Sequence, residues 1–134
     1  MKIGVDLDGT ISRLGLYNPS LRLPGWLFFL LFPLVVLISP NKKRIEKLRE
    51  LKNKGDEIIV ISARPSWVAG LTESWLKFHK VPFDKLFCVG FGKGTKQRKL
   101  EVIKKEGVGW FFDDDKRLVE FFNQNSIKTT TNFD

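Results

Sequence analysis

The feature that most constrains the fold is a regular alternation of short apolar runs with amphipathic segments. The apolar runs are "KIGVDL", "EIIVIS", "KLFCVG" and "VGWFFD", and each is typical of a buried strand. The segments between them carry apolar residues at helical spacing, as Ile45, Leu48 and Leu51 do. Apolar strands that alternate with helices indicate a parallel sheet covered on both faces. We therefore predict an α/β, Rossmann-like three-layer sandwich with a central parallel sheet of about five strands, the last formed by "IKTT".

Length and composition fit one folded domain that spans residues 1–134. The single Cys88 excludes an intramolecular disulfide, and no His/Cys cluster has the spacing of a zinc site. Because the chain opens on a strand pattern and not on a signal peptide, we expect a cytoplasmic protein. The net charge of +8 attracts phosphorylated small molecules, nucleic acid or acidic lipid. A lysine-rich solvated surface explains the same charge equally well.

Polar side chains follow the predicted strands at the points where the strands end. The first strand leads into Asp6-Leu7-Asp8-Gly9-Thr10, the second into Ser62-Ala63-Arg64, and the fourth into Asp113-Asp114-Asp115. Lys96 and Lys99 lie on the helix that precedes the fourth strand. The carboxyl ends of parallel strands share one edge of the sheet, where ligands bind in such folds. The sequence therefore predicts that these groups converge.

Convergent carboxylates indicate a particular chemistry. Asp6 and Asp8 are two residues apart at a strand end, so their side chains point the same way. Crowded carboxylates are costly without a counter-ion, and oxygen ligands favour Mg²⁺ over Zn²⁺. A carboxylate can also attack phosphorus and form an aspartyl-phosphate. A lone DxD or acidic triplet is usually structural, but the joint occurrence of these motifs in this order indicates phosphoryl chemistry.

The set of motifs resembles the haloacid dehalogenase superfamily of phosphohydrolases. "VDLDGT" is similar to motif I of that family, "IVISAR" to motif II, "GTKQRKLEVIKKEG" to the lysine helix of motif III, and "GWFFDDD" to motif IV. The resemblance covers the chain except residues 13–40, and it fits a small-cap or capless member. It implies a Mg²⁺-dependent phosphomonoester hydrolase that works through an aspartyl-phosphate.

The resemblance also implies roles for the residues of the first two motifs. Asp6 would be the nucleophile and a metal ligand. Asp8 would be the general acid and base, with its backbone carbonyl on the metal. Ser62 and the amide of Ala63 would hold the phosphoryl oxygens.

Two positions in the later motifs are left open by the resemblance. Lys96 would neutralise the phosphoryl group and is preferred because it lies at the helix N-terminus, with Lys99 as the alternative. Asp114 would be the metal ligand of motif IV, supported by Asp113. The register of the triplet that ends at Asp115 is uncertain by one residue.

Substrate recognition is less constrained by the sequence. Thr10 and Arg64 are candidates for contact with the substrate, and Arg64 is an equally good candidate to pair with an acid. The stretch "GFGKGTK" lacks the spacing of a phosphate-binding loop and is interpreted as a flexible lead into the lysine helix. A nucleotide or another phosphorylated metabolite is the expected substrate. A polynucleotide 3′-end is the alternative, compatible with the basic charge.

The segment "PGWLFFLLFPLVVLIS", residues 24–39, is the part that the resemblance leaves unexplained. Its unbroken apolar run, Trp26 to Ile38, has 13 residues, fewer than the about 20 that a membrane span needs. A crossing would also separate Asp6 from Ser62 and Asp114. We expect a hydrophobic insertion at residues 13–40, in the cap position. Three interpretations remain: packing on the domain or in a homodimer, peripheral membrane contact, or lining of a substrate pocket. A membrane-associated or partner-binding module with little catalysis is the competing function.

Overall fold

The computed structural model describes residues 1–8, 10–11 and 39–131. Residues 13–38 of the predicted insertion 13–40, and with them the apolar run from Trp26 to Ile38, lie outside the described residues. The sheet has five parallel strands in the order β3-β2-β1-β4-β5, which confirms the predicted fold class. The strands are β1 (Lys2–Val5), β2 (Glu57–Ser62), β3 (Lys85–Cys88), β4 (Trp110–Phe112) and β5 (Thr129–Thr130).

Four α-helices connect the strands in the described part of the chain. They are α1 (Lys42–Asn53), α2 (Ala69–Phe78), α3 (Thr95–Glu106) and α4 (Lys116–Gln124). A short 3₁₀ turn at Ser66–Val68 precedes α2. None of these helices has the length and apolar character needed to cross a bilayer.

The C-terminus of α3 and the N-terminus of α2 differ in how they are capped. Gly107 ends α3 in the left-handed conformation (φ 71°), and its N–H donates to the carbonyls of Ile103 and Lys104. Before α2, Ser66 begins the 3₁₀ turn. Val68 precedes α2 without a capping side chain.

The core consists of two layers of apolar side chains, one on each face of the sheet. Because side chains alternate along a strand, Ile58 and Val60 pack with α1 and α2, while Ile59 and Ile61 pack with α3 and α4. The aromatic neighbours in β4 divide in the same way: Phe112 joins the first layer and Phe111 the second. This alternation produces the three-layer sandwich.

A close approach between β1 and β4 requires a glycine. Gly4 pairs with Phe111 across the two strands, and a Cβ at residue 4 would lie 2.6 Å from Phe111 Cδ2. Any larger side chain would displace the buried ring. The glycine in "KIGV" therefore brings together the two strands whose ends carry most of the carboxylates.

Candidate active site

Three carboxylates converge at the carboxyl edge of the sheet. Val5 is the last residue of β1 and pairs with Phe112 of β4, and the N–H of Asp6 donates to the Phe112 carbonyl at 2.9 Å. Asp6 and Asp113 are buried, and Asp114 is half-buried. One carboxylate oxygen from each of these three aspartates lies within 4.8 Å of the other two. Such a set of oxygen ligands fits a hard divalent cation such as Mg²⁺.

The lysine that reaches this cluster is Lys99. Its side chain is 1% exposed, and its Nζ donates to Asp6 Oδ1 at 2.8 Å and to Asp113 Oδ2 at 3.3 Å. Lys96, the residue preferred from the sequence, is exposed, and its Nζ lies 5.0 Å from the centroid of the Phe121 ring. The preference rested on nearness to the helix N-terminus, but helical phase decides which side chain faces the sheet edge.

Burial and mutual repulsion perturb the ionisation of these groups. Burial raises the pKa of Asp6 well above its usual range, Asp113 raises it further, and Lys99 opposes both. Burial and the charge of Asp113 likewise raise the pKa of Asp114. Burial lowers the pKa of Lys99, but the carboxylates of Asp6 and Asp113 outweigh it and raise the pKa overall. The site therefore holds more negative charge than one lysine neutralises, which favours a divalent cation.

A second buried cation holds Asp8. Arg64 is fully buried, its Nε donates to Asp8 Oδ2 at 3.0 Å, and its Nη2 donates to Asp8 Oδ1 at 2.8 Å. Its Nη1 donates to Thr72 Oγ1 at 3.2 Å, and the Thr72 hydroxyl donates to the Val68 carbonyl at 2.8 Å. Of the two roles predicted for Arg64, the structure places it against an acid. Thr72 could not be identified as part of the site from the sequence, because a threonine in the middle of a helix belongs to no recognisable motif.

The end of β2 leads directly into Arg64. Ser62 is fully buried, and its hydroxyl oxygen accepts from the backbone N–H of Arg64 at 3.0 Å. A hydroxyl that accepts one hydrogen bond still has its O–H to donate. Ala63 follows it and is also buried. Their predicted contact with phosphoryl oxygens, like the predicted contribution of the Asp8 carbonyl to metal binding, stays a prediction.

Thr10 connects the first strand to the acidic triplet. Its hydroxyl donates to Asp114 Oδ1 at 3.4 Å, and its carbonyl accepts from Arg44 Nη1 at 3.1 Å. Arg44 also lies near enough to oppose the rise in the pKa of Asp114. The sequence does not single out Arg44, since a helix rich in lysine and arginine gives no sign of which side chain turns inward.

The glycine-containing loop between β3 and α3 is tied down by Arg98. The guanidinium donates to the carbonyls of Val89 (2.7 Å), Lys93 (3.0 Å) and Gly90 (3.2 Å). Gly94 takes a positive φ of 85°, and a Cβ there would lie 3.0 Å from Arg98 Nη1. The stretch that the sequence suggests as a flexible lead is thus hydrogen-bonded to the helix it introduces.

Known structures share the fold over nearly the whole chain, whereas the sequence match to a known protein covers only part of the chain. The chain matches no family model. It is 34% identical over 85 residues to a Bacillus cereus protein named "Putative nucleotidase", a match that covers 61% of this chain and 42% of that protein.

Two solved structures share the fold over 96% of this chain. They are described as "Structure of the Pnkp1/Rnl/Hen1 RNA repair complex" (TM-score 0.75, 21% identity) and "Structure of Pnkp1/Rnl/Hen1 complex" (TM-score 0.73, 20% identity). The chain corresponds to 41% and 45% of the length of those chains. The chain therefore spans less than half the length of these two chains and of the Bacillus cereus protein, and the likeness to the two solved structures establishes the fold.

Proposed function

We propose that this chain hydrolyses phosphate monoesters through a phosphorylated Asp6. The observation that carries the proposal is the contact of buried Lys99 with Asp6, 2.8 Å, inside a cluster of three carboxylates. A lysine and a divalent cation flanking a carboxylate nucleophile would stabilise the charge of a transferring phosphoryl group. The order of the motifs and the likeness to a protein named as a nucleotidase support the same reaction.

The reaction has two steps. An Asp6 oxygen attacks phosphorus, the bond from phosphorus to the ester oxygen breaks, and Asp8 gives a proton to the departing alcohol. Asp8 then takes a proton from water as the water oxygen attacks phosphorus, which releases inorganic phosphate and regenerates Asp6. Arg64 holds the Asp8 carboxylate by both oxygens and so fixes the position from which both proton transfers occur. Ser62 and the Ala63 amide would bind the phosphoryl oxygens.

Mg²⁺ is the proposed cofactor. Asp6, Asp113 and Asp114 would hold it, since their oxygens already lie within 4.8 Å of one another. When bound, the ion would neutralise carboxylate charge and polarise the phosphoryl group. The Lys99 ammonium, which contacts Asp6 and Asp113, would supply further positive charge.

The proposed substrate is a nucleotide or a similar phosphorylated metabolite. The strongly basic chain also makes a polynucleotide 3′-end a candidate, because a charge of +8 favours polyanions. The alternative function is a binding module with little catalysis. Hydrolysis assays distinguish the two, because phosphate release excludes the alternative.

Phosphate release with Mg²⁺ tests the proposal. An aryl phosphate, nucleoside 3′- and 5′-monophosphates, and 3′-phosphorylated oligonucleotides form the panel. The wild type should release phosphate from at least one class, and Asp6→Asn should lose at least a thousandfold in kcat. Glu120→Gln is the control, because Glu120 is an exposed carboxylate of α4 that belongs neither to the acid cluster nor to the end of a strand. An inactive wild type, or an active Asp6→Asn, would refute the proposed reaction.

A further inference from the structure

We propose that a basic cleft beside the acid cluster binds a second phosphate group of the substrate, an inference that rests on the proposed function. The cleft has a volume of about 270 Å³ and lies between the loop that Arg98 ties down and the start of α4. Its charged lining consists of Lys93, Lys96, Arg117 and Asp115. The substrate would therefore carry at least two phosphates, one cleaved and one held.

Charge in the cleft favours an anion. Three cations line it against one carboxylate, and all three cations are exposed and able to meet a ligand. The carboxylate of Asp115 already accepts from the Arg117 N–H at 2.9 Å as the cap of α4. The Lys96 ammonium lies over the Phe121 ring at 5.0 Å, a contact that holds the charge at the rim of the cleft.

The cleft adjoins the site of phosphoryl transfer. Lys96 precedes Lys99 on α3 by three residues, which is about 4.5 Å along the helix axis, and Lys99 contacts Asp6. On the other wall, Asp115 directly follows Asp114 of the acid cluster. When the terminal phosphate of a substrate lies at Asp6, its next phosphate would therefore lie in the cleft.

The size and lining of the cleft indicate what it recognises. At about 270 Å³ the cleft lies just below the range of about 300–1,000 Å³ for drug-sized ligands, so it has room for a phosphate group with its sugar. The described lining residues include no aromatic ring on which a base could stack. Recognition would be of phosphate and independent of the base, as in a nucleoside bisphosphate or the internal diester of an oligonucleotide.

Paired substrates test the proposal by turnover. The panel contains a nucleoside 3′-monophosphate, the matching 3′,5′-bisphosphate, and a 3′-phosphorylated dinucleotide whose second phosphate is an internal diester. The wild type should prefer at least one of the last two by about tenfold in kcat/KM, and the arm that gains identifies the source of the second phosphate. In Lys93→Gln/Arg117→Gln the preference should fall close to one. The control variant Lys104→Gln/Lys105→Gln loses the same amount of charge at the far end of α3 and should retain the preference for substrates with two phosphates.

Binding to Asp6→Asn provides a test that needs no turnover. Calorimetry should give a Kd for the 3′,5′-bisphosphate or the dinucleotide about tenfold lower than for the monophosphate, and the added Lys93→Gln/Arg117→Gln change should abolish the difference. Equal affinity for the mono- and diphosphorylated ligands would overturn the inference even if the chain hydrolyses aryl phosphate. If the protein hydrolyses no substrate but still prefers ligands with two phosphates, the proposed reaction is refuted and the proposed phosphate-binding cleft is supported.

Discussion

Two buried cations meet the acidic edge of this molecule, and they do so in different ways. Lys99 is a compact charge that contacts two acids, Asp6 at the end of β1 and Asp113 at the end of β4. Arg64 places a planar fork on both oxygens of one acid, Asp8, and is itself held by Thr72. An ammonium on a long stem can shift as charge arrives, whereas a bidentate guanidinium permits one orientation. Under the proposed function, Lys99 would neutralise charge and Arg64 would position Asp8.

The largest effect should come from removing the lysine. Lys99→Met leaves Asp6 and Asp113 without their buried counter-charge and should lower kcat by about a thousandfold, since it removes charge stabilisation of the transferring group. Steady-state phosphate release with Mg²⁺ measures the loss.

Lys96→Met is the matched variant, three residues away on the same helix. It should lose less than tenfold in kcat, because its ammonium faces Phe121 and not the acids. A larger loss in Lys96→Met than in Lys99→Met would reverse the assignment of the two lysines.

A smaller effect should follow when the fork is replaced by a point charge. Arg64→Lys retains the charge but cannot bind both oxygens of Asp8, so kcat should fall about a hundredfold while KM changes little. The effect should vanish in an Asp8→Asn background, because there is then no general acid to position.

Arg49→Lys is the control for this change. Arg49 makes one exposed hydrogen bond to the Lys80 carbonyl and should tolerate the substitution. Equal losses in kcat from Arg64→Lys with and without Asp8 would mean that Arg64 acts independently of that acid.

Metal binding should stabilise the lysine side of the site. Saturating Mg²⁺ should raise the Tm of the wild type by about 4 °C for each kcal/mol of binding free energy, and Asp114→Asn should remove most of the rise. Asp115→Asn should retain it, since Asp115 caps α4.

Protons should compete with the metal. The pKa values of Asp6 and Asp114 are raised, so these carboxyls remain protonated to a higher pH than ordinary ones do. The Mg²⁺-dependent rise in Tm should therefore shrink as the pH falls, and it should begin to shrink above the usual carboxyl range. Thermal unfolding with and without Mg²⁺ across pH measures this, and a rise that grows toward low pH would contradict the carboxylate site.

The last effect concerns the arginine side of the site and involves no catalytic group. Cys88 is the last residue of β3 and pairs with Ser62, and burial raises the pKa of its thiol to about 11. At pH 8 it should react with an alkylating reagent about a hundredfold more slowly than a free thiol, because little thiolate is present. Denaturant should restore the ordinary rate. Rapid alkylation of the native protein would show that this side of the site is open to solvent.

Much of the fold could be predicted from sequence because its signals are local. Continuous apolar strands alternate with amphipathic helices, and Gly107 marks a helix end by its backbone freedom alone. The polar groups after Val5, Ser62 and Phe112 could be placed at one edge because parallel topology brings strand ends together.

The pairings within the site were harder to predict because they join distant residues. Arg64 and Asp8 are 56 residues apart, and no local pattern shows which acid the guanidinium meets. The choice of Lys99 over Lys96 depends on the phase of α3 against the sheet, which shifts with the exact start of the helix. Arg98 donates to backbone carbonyls, which every residue has, so the sequence does not show which residues it contacts.

One measurement tests the central claim, that Asp6 becomes phosphorylated, most directly. In Asp8→Asn, an aryl phosphate with a good leaving group needs no general acid for the first step, while the attack of water lacks its base. Rapid mixing with Mg²⁺ should therefore give a burst of about one aryl alcohol per protein, followed by slow turnover, and the burst should be absent in Asp6→Asn. Turnover by Asp8→Asn without a burst, or a burst that persists in Asp6→Asn, would contradict the account.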